Sequence, residues 1–466
     1  MAVTLTQTPT LPFDQAYGPN PVTLSGIPTD PITGVITADK YVLQIYRAGQ
    51  LIADLRQTPN SQGLAIFDIQ NVIQNFVAPS PNYVEQIGYI GNDLLNSAQE
   101  STPYQFYYGS ETAGVLNMSA ADFTTYIAFG GTKAYYEVPY DTAPYIPITA
   151  NPACTDIIKQ GQPLTDLQNF RLAGTITDGK PSWLLNNMRV YDHYVTVDDL
   201  TTISYYNKVT GTGPAEAASI DAFVFWQYNG NVNLSNDIVY NTVGNGGGPN
   251  ANPGDGNAVV YPTYAITAAT GPKNFQDFAS GATHYYVSTS AFANCTTINQ
   301  GLTDDSLHYV HRFNIVDPAC NDFPEYQFSW LNKYGFRDYY SFNKRKDRKV
   351  SIKRNEYLRE AADYNAANYD VNIYDRGTTV YSQMLPEEFS AFTDYISDED
   401  ALYLEGLFIS ADVKVRFNDR PGQEKYQWVP VSLISNSYDE KTYRKNKLFQ
   451  YDIKFKLAHN IKSQRG

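Results

Sequence analysis

The strongest constraint on the fold is a period of two near the end of the chain, in "NKLFQYDIKFKLAHN" (446–460). Large apolar side chains alternate there with polar ones, and the apolar set is Phe449, Tyr451, Ile453, Phe455 and Leu457. Successive side chains leave a strand on opposite faces, so the pattern predicts a half-buried strand over 447–457. We expect Lys454 and Lys456, on the other face, to discourage uncontrolled edge pairing. The strand either completes its own sheet or adds to that of a neighbouring copy.

Similar alternation through much of the chain predicts a mostly β fold. Tyr occurs 39 times and charged residues make up only 18% of the chain, a composition that favours strands and half-wet contact surfaces. "YVLQIYRAGQLIADLRQ" (41–57) predicts two strands around a tight turn at Ala48 and Gly49. With 466 residues, the chain exceeds one ordinary core, so we expect several domains.

These segments predict two β-sandwich-like domains followed by a C-terminal α+β domain, over residues 1–145, 146–325 and 326–466. The second contains 241–257, so rich in Gly, Asn and Pro that we expect an exposed loop. In the third, Ser397 as N-cap predicts a helix over 397–410. "PEEFSAFTDYI" predicts a shorter helix with Pro386 in its first turn.

The formal charge of -14 is unevenly distributed along the chain. Residues 331–466 hold 23 Lys and Arg against 20 Asp and Glu, which leaves 11 against 28 for residues 1–330. An acidic body argues against nucleic acid as a general partner, because phosphate contacts need a basic surface. It also favours attraction between the acidic and basic parts of adjacent copies.

The sharpest basic feature is "NKRKDRKVSIKR" (343–354). Three interpretations are open: a surface that faces nucleic acid, an interface that meets acidic neighbours, and a solvated loop. We prefer the second and third, given the acidic chain around this stretch. The candidate interface residues are Lys344, Arg345, Lys346, Arg348, Lys349, Lys454 and Lys456.

No signature of nucleotide binding, metal-dependent hydrolysis or serine-nucleophile catalysis occurs, so we predict no enzyme, catalytic residue, cofactor or metal. His308 and His311 form the closest His pair, but their spacing in a strand points the rings to opposite faces. Trp226 is an aromatic that can stack on a sugar, although a core position is the better interpretation. Neither a secretory signal nor a membrane-length apolar run is visible, so we expect a soluble protein made in a cytoplasm.

Three segments resemble structural proteins of tailed bacteriophages. One is "YQFSWLNKYGFRDYYSFNKRKDRKVSIKRNEY" (326–357), in which Leu-Asn-x-x-Gly-x-x-Asp leads two strands. A second runs from "YISDEDALYLEGLFISADVKVRF" to the closing strand. The third, "RAGQLIADLRQTPNSQGLAIFDIQNVIQNFV", resembles an immunoglobulin-like or fibronectin-like virion domain.

The resemblance implies a non-enzymatic virion component of the tail or baseplate, made in bacterial cytoplasm and working through repeated subunit interfaces. Its implied partners are other copies of itself, as a homo-oligomeric ring or adaptor, and other virion proteins, without a membrane. A neck, head-to-tail ring or capsid-associated position is an alternative. A carbohydrate-binding fibre or adhesin module, with a host-surface glycan as partner, is another.

Overall fold

The structure is a computed structural model of the chain, and the residues it describes are 3–9, 14–26, 40–79, 94–95, 100–132, 183–186, 192–206, 222–230, 232–240, 242–243, 259–260, 264–274, 278–290, 307–316, 325–358, 377–394, 396, 398–417, 428–434, 450–458 and 463–465. The fold is mostly β, as predicted. It divides into two compact units. The first unit is Met1–Pro318 with Leu331–Tyr339, and the second is Ala319–Trp330 with Tyr340–Gly466. The predicted boundary at 145/146 lies outside the described residues.

The N-terminal part of the first unit is a β-sandwich. Its sheets have the orders β1-β3-β6 and β2-β9-β8-β4-β5. Apolar side chains from both sheets, among them Leu24 and Phe67 from one and Tyr41 and Phe106 from the other, form a single buried cluster. The elements are β1 Thr4–Gln7, β2 Asp14–Tyr17, β3 Pro21–Ser25, β4 Lys40–Arg47, β5 Gln50–Gln57, β6 Ala65–Asp68, α1 Gln70–Ile73, β7 Leu94–Leu95, β8 Ser101–Thr112 and β9 Val115–Thr132.

The rest of the first unit is also β. Its sheets have the orders β10-β12-β17-β7, β11-β19-β18-β13-β14 and β15-β16. Of the predicted loop 241–257, only Thr242–Val243 lies within the described residues, and it pairs with Val259–Val260. The strands are β10 Trp183–Leu184, β11 Asp192–Val195, β12 Thr202–Tyr206, β13 Ala222–Asn229, β14 Val232–Tyr240, β15 Thr242–Val243, β16 Val259–Val260, β17 Ala265–Ala269, β18 His284–Ser290 and β19 Leu307–Ile315.

The Leu-Asn-x-x-Gly motif forms the turn between β20 (Tyr326–Leu331) and β21 (Arg337–Phe342). Oδ1 of Asn332 accepts hydrogen bonds from the backbone amides two and four residues later, at 2.9 and 3.1 Å. Its Nδ2 donates to the carbonyl oxygen of Leu185 at 3.0 Å. Gly335 has φ +85°, and a Cβ there would lie 2.4 Å from the carbonyl carbon of Gly130. The motif therefore has a structural role in the first unit.

The second unit contains a seven-stranded sheet of order β21-β20-β26-β27-β28-β25-β22 and a three-stranded sheet of order β23-β24-β29. In the larger sheet, the ring of Phe455 lies 5.1 Å from that of Phe328 and 5.3 Å from that of Phe389. The remaining elements are β22 Lys346–Val350, β23 Lys353–Leu358, β24 Thr378–Met384, β25 Glu387–Phe392, α2 Asp398–Ile409, β26 Val413–Phe417, β27 Trp428–Leu433, β28 Asp452–Leu457 and β29 Ser463–Arg465.

The closing strand completes a sheet of its own chain, which is one of the two possibilities predicted from the sequence. Strand β28 pairs with β25 on one side and β27 on the other, with Ile453 and Phe455 fully buried. The edge-guarding role expected for Lys454 and Lys456 is wrong, because both sides of β28 are already paired. Residues 447–449 lie outside the described residues.

The two helix predictions for this unit have opposite outcomes. Helix α2 is confirmed, with Leu404 and Leu407 fully buried. The helix predicted for "PEEFSAFTDYI" is wrong, because Glu387–Phe392 forms strand β25 between β22 and β28. Phe389 and Ala391 are buried, whereas Glu388 is exposed, so the period is two. Ladder hydrogen bonds to strands on both sides decide the conformation.

Candidate interaction surface

The basic stretch forms one side of a long antiparallel strand pair, which we call the β-arm (346–358 and 378–392). The other side of this pair also bonds to further strands, β24 to β29 and β25 to β28. Strand β22 pairs antiparallel with β25, and β23 pairs antiparallel with β24. Between the two ladders, the backbone amide of Ser351 donates to the carbonyl oxygen of Pro386 at 3.0 Å. Strand β22 is therefore the edge of the seven-stranded sheet, and the interpretation of the basic stretch as a solvated loop is wrong.

Most candidate interface cations lie beside carboxylates of the same unit. Nη2 of Arg348 lies 2.7 Å from Oε1 of Glu387, and Nζ of Lys349 lies 3.6 Å from Oε2 of Glu388. Three more pairs join Lys344 to Asp394 at 3.0 Å, Arg345 to Asp347 at 3.1 Å and Lys454 to Asp452 at 3.5 Å. Exposed ion pairs of this kind contribute about 0–1 kcal/mol each. The acids of "PEEF", assigned from sequence to a helix start, instead partner the basic strand.

The sheet register brings the two candidate groups onto one face. Glu388 lies opposite Lys349 of β22 and opposite Lys456 of β28, so these three residues form a row across three strands. Residues directly opposite in antiparallel strands share a face. Lys346 differs, since its Nζ lies 4.3 Å from the ring centroid of Tyr326. The result is a face of mixed charge rather than a basic patch.

Beyond β22, the β-arm exposes apolar side chains. Every residue of β23 is exposed, and the rings of Tyr357 and Tyr381 lie 6.1 Å apart. The described residues include eighteen large apolar side chains that are exposed, and seven of them lie on 350–358 and 378–384. Sequence reasoning missed this surface, although the Thr, Val and Tyr of β24 are typical of a strand. The seven are Val350, Ile352, Tyr357, Leu358, Val380, Tyr381 and Met384.

Histidines of the first unit come together in a way that their spacing did not predict. His311 is buried, and its Nδ1 lies 3.4 Å from Nε2 of His193, because β11 and β19 run parallel and adjacent. Burial, followed by the charge of Arg312, lowers the pKa of His284 to about 4. Among the described residues, no group of three or more His, Cys, Asp or Glu could hold a metal ion.

The aromatic residue considered for sugar stacking is part of the core. Trp226 is fully buried in β13, between β14 and β18. This confirms the core interpretation, in which large aromatics dominate the interior of β domains. Within the part of the chain that the structure describes, no helix is long and apolar enough to cross a bilayer.

Comparisons with known proteins identify no family for this chain. No family model and no curated protein matches it. Among solved structures, the chain is similar to dimeric latent PorU from Porphyromonas gingivalis, with 10% identity and a TM-score of 0.19. The match covers 84% of this chain and 32% of that chain, so this chain spans about a third of its length. A TM-score of this size carries no argument about fold or function.

Proposed function

We propose that the protein is a non-enzymatic structural component of a tailed bacteriophage virion, in the tail or baseplate, that works through repeated subunit interfaces. The observation that carries the proposal is the β-arm, which holds seven of the eighteen exposed large apolar side chains among the described residues, all on 350–358 and 378–384. Monomeric proteins rarely expose contiguous apolar patches beyond a few hundred Å², and larger ones mark interaction sites. A protein that acts by assembly needs such a surface and needs no catalytic group.

The charges of the β-arm favour a protein neighbour over packaged DNA. A phosphate-binding surface needs cations free to contact the backbone of the nucleic acid. Here Arg348 and Lys349 already lie beside Glu387 and Glu388, and DNA binding would bring these two carboxylates close to phosphates. This supports the tail or baseplate over a DNA-facing neck position. The burial of Trp226 removes the main support for the carbohydrate-binding alternative.

Immunoelectron microscopy tests the proposal. Antibody raised against the purified chain would be applied to intact particles recovered from a culture that produces the protein. We expect gold label on the tail or baseplate, in several copies per particle. Label on the neck or capsid would favour the alternative position in the virion. Protein found only in the soluble lysate, with unlabelled particles, would refute a virion role.

A glycan array and a reducing-sugar assay on the same protein test the carbohydrate-binding alternative. The proposal predicts no saturable binding on the array and no sugar release. Saturable glycan binding would support the fibre or adhesin interpretation instead, and sugar release would contradict a non-enzymatic role.

A further inference from the structure

Strand β23 of the β-arm lies at the edge of its three-stranded sheet, whose order is β23-β24-β29. Among the described residues, no strand pairs with the outer side of β23, and every residue of β23 is exposed. The bulge in the β23–β24 ladder lies on β24, at Tyr381, so β23 itself keeps regular spacing. An exposed edge strand of regular spacing presents a row of backbone amides and carbonyls to which another strand can pair.

The small sheet around β23 has no buried face of its own in the part of the chain that the structure describes. No residue of β23 or β24 is buried. Tyr357 and Leu358 are both exposed, and successive residues of a strand lie on opposite faces. A small sheet needs a hydrophobic face or a packing partner to be stable. Because the apolar side chains leave both faces, a surface laid on one face covers only part of them, whereas an added strand extends both faces at once.

The side chains along this edge are complementary to themselves. In an antiparallel pair, residues whose backbone groups point outward alternate with residues whose groups point to the inner strand, so two copies of β23 can pair only with residues of equal parity opposite each other. When Asn355 lies on the twofold axis, Arg354 lies opposite Glu356 of the second copy, and Ile352 lies opposite Leu358. Moving the axis to Arg354 or to Glu356 places that residue opposite its own copy, with like charges together. The register at Asn355 therefore matches both the charged and the apolar side chains.

The two charged residues of this register are available for a second copy. Within the described structure, neither Arg354 nor Glu356 forms an ion pair, whereas two cations of β22 lie beside carboxylates of β25. Ile352 is 54% exposed and Leu358 is 82% exposed, so the apolar members of the register are also uncovered. Opposite charges and apolar pairs directly across two strands stabilise the pairing, and like charges there destabilise it.

We propose that β23 of one copy pairs antiparallel with β23 of a second copy about a twofold axis at Asn355, which joins the two small sheets into one. This inference rests on the proposed function, in that it names the partner of the surface on which that function depends. The contact is isologous, so it closes at a dimer, and a larger assembly of copies uses a second interface in addition.

Sedimentation of the purified full-length chain across a concentration series tests the proposal. We expect a dimer in the wild type, and a dissociation constant about tenfold higher or more in Arg354→Glu and in Glu356→Arg, because each places like charges opposite each other twice per dimer. The matched control is Lys353→Glu, which makes the same change of charge as Arg354→Glu one residue away, on the other face and opposite the uncharged Tyr357. It should lose less affinity. Circular dichroism melts establish that the variants fold, which is expected for exposed positions. A wild type that stays monomeric throughout the series would overturn the proposal, as would equal loss in the control.

Restoring the complementarity gives the sharpest result. The double variant Arg354→Glu with Glu356→Arg exchanges the two charges, keeps the net charge of the wild type, and should dimerise again. A mixture of the two single variants should form a heterodimer, because every opposed pair then again carries opposite charges. A double variant that stays monomeric would overturn the register at Asn355.

These outcomes are independent of particle labelling. A chain that is present in virions but monomeric in solution leaves the proposed function standing and removes only this inference. A dimer in solution together with unlabelled particles refutes only the virion role.

Discussion

Replacing Phe455 by Ala should strongly destabilise the second unit. Phe455 is fully buried, and aromatic rings surround it: Phe328 at 5.1 Å, Phe389 at 5.3 Å and Tyr326 at 6.3 Å between centroids. Truncation of a buried Phe costs about 3–5 kcal/mol, from lost burial and from the cavity that remains. With about 2 kcal/mol/M as the denaturant dependence of a domain of this size, a loss of about 4 kcal/mol lowers the urea midpoint by about 2 M.

Hydrogen–deuterium exchange at increasing urea concentrations measures this change by element. Peptides covering β28 report the second unit, and peptides covering β13 provide a reference in the first unit. The matched control is Lys454→Ala, one residue away on the exposed face of the same strand, with an expected effect below about 0.5 kcal/mol. Equal midpoints for the β28 peptides in Phe455→Ala and Lys454→Ala would refute the placement of Phe455 in a packed aromatic core.

Three further predictions concern other parts of the chain. Gly335→Ala should destabilise the first unit by about 2–4 kcal/mol in urea unfolding, because the new Cβ clashes with the backbone of Gly130 and the positive φ is strained. Gly114→Ala is the control: its φ of +79° is also strained, but no atom lies within 4 Å of the new Cβ, so it should cost only about 1 kcal/mol. His284 has a folded-state pKa of about 4 against about 6.5 in the unfolded chain, so its contribution to stability is present above pH 6.5 and is lost as the pH falls to 4. The urea midpoint should therefore fall less steeply between pH 6.5 and 4 for His284→Gln than for the wild type, and equal slopes of midpoint against pH would contradict the pKa shift. Lys349→Glu should lower the stability of the second unit by up to about 1 kcal/mol, because it places like charge beside Glu388, and Glu388→Lys in the same chain should restore the stability. Urea midpoints that show no restoration would contradict the pairing of these residues.

The closing strand was predictable because its signal is local. The alternation that places Ile453 and Phe455 on one side predicts both the strand and its buried face, without any knowledge of the neighbouring strands. The same period of two was present at Phe389 and Ala391, yet Pro386 and the acids beside it imitate a helix start. Only the neighbouring strands β22 and β28, far away in sequence, decide between these alternatives. For this segment the period of two therefore predicts the structure better than the helix-start residues do.

Strands β23 and β24 of the β-arm were harder to predict, because they have no buried face to impose alternation. The basic strand of the β-arm and the carboxylates of β25 are joined by register, which depends on the pairing of distant segments. The same limit applies to His193 and His311, which meet through a parallel ladder between strands more than a hundred residues apart. The cations themselves were identified from sequence, but their partners were not.

Cryo-electron microscopy of intact particles tests the central claim most directly, because it reports location, copy number and contacts together. The account predicts several symmetry-related copies in the tail or baseplate, with the β-arm of each copy in contact with a neighbouring subunit. Particles that lack the chain, or that hold it with every β-arm projecting into solvent, would contradict the account.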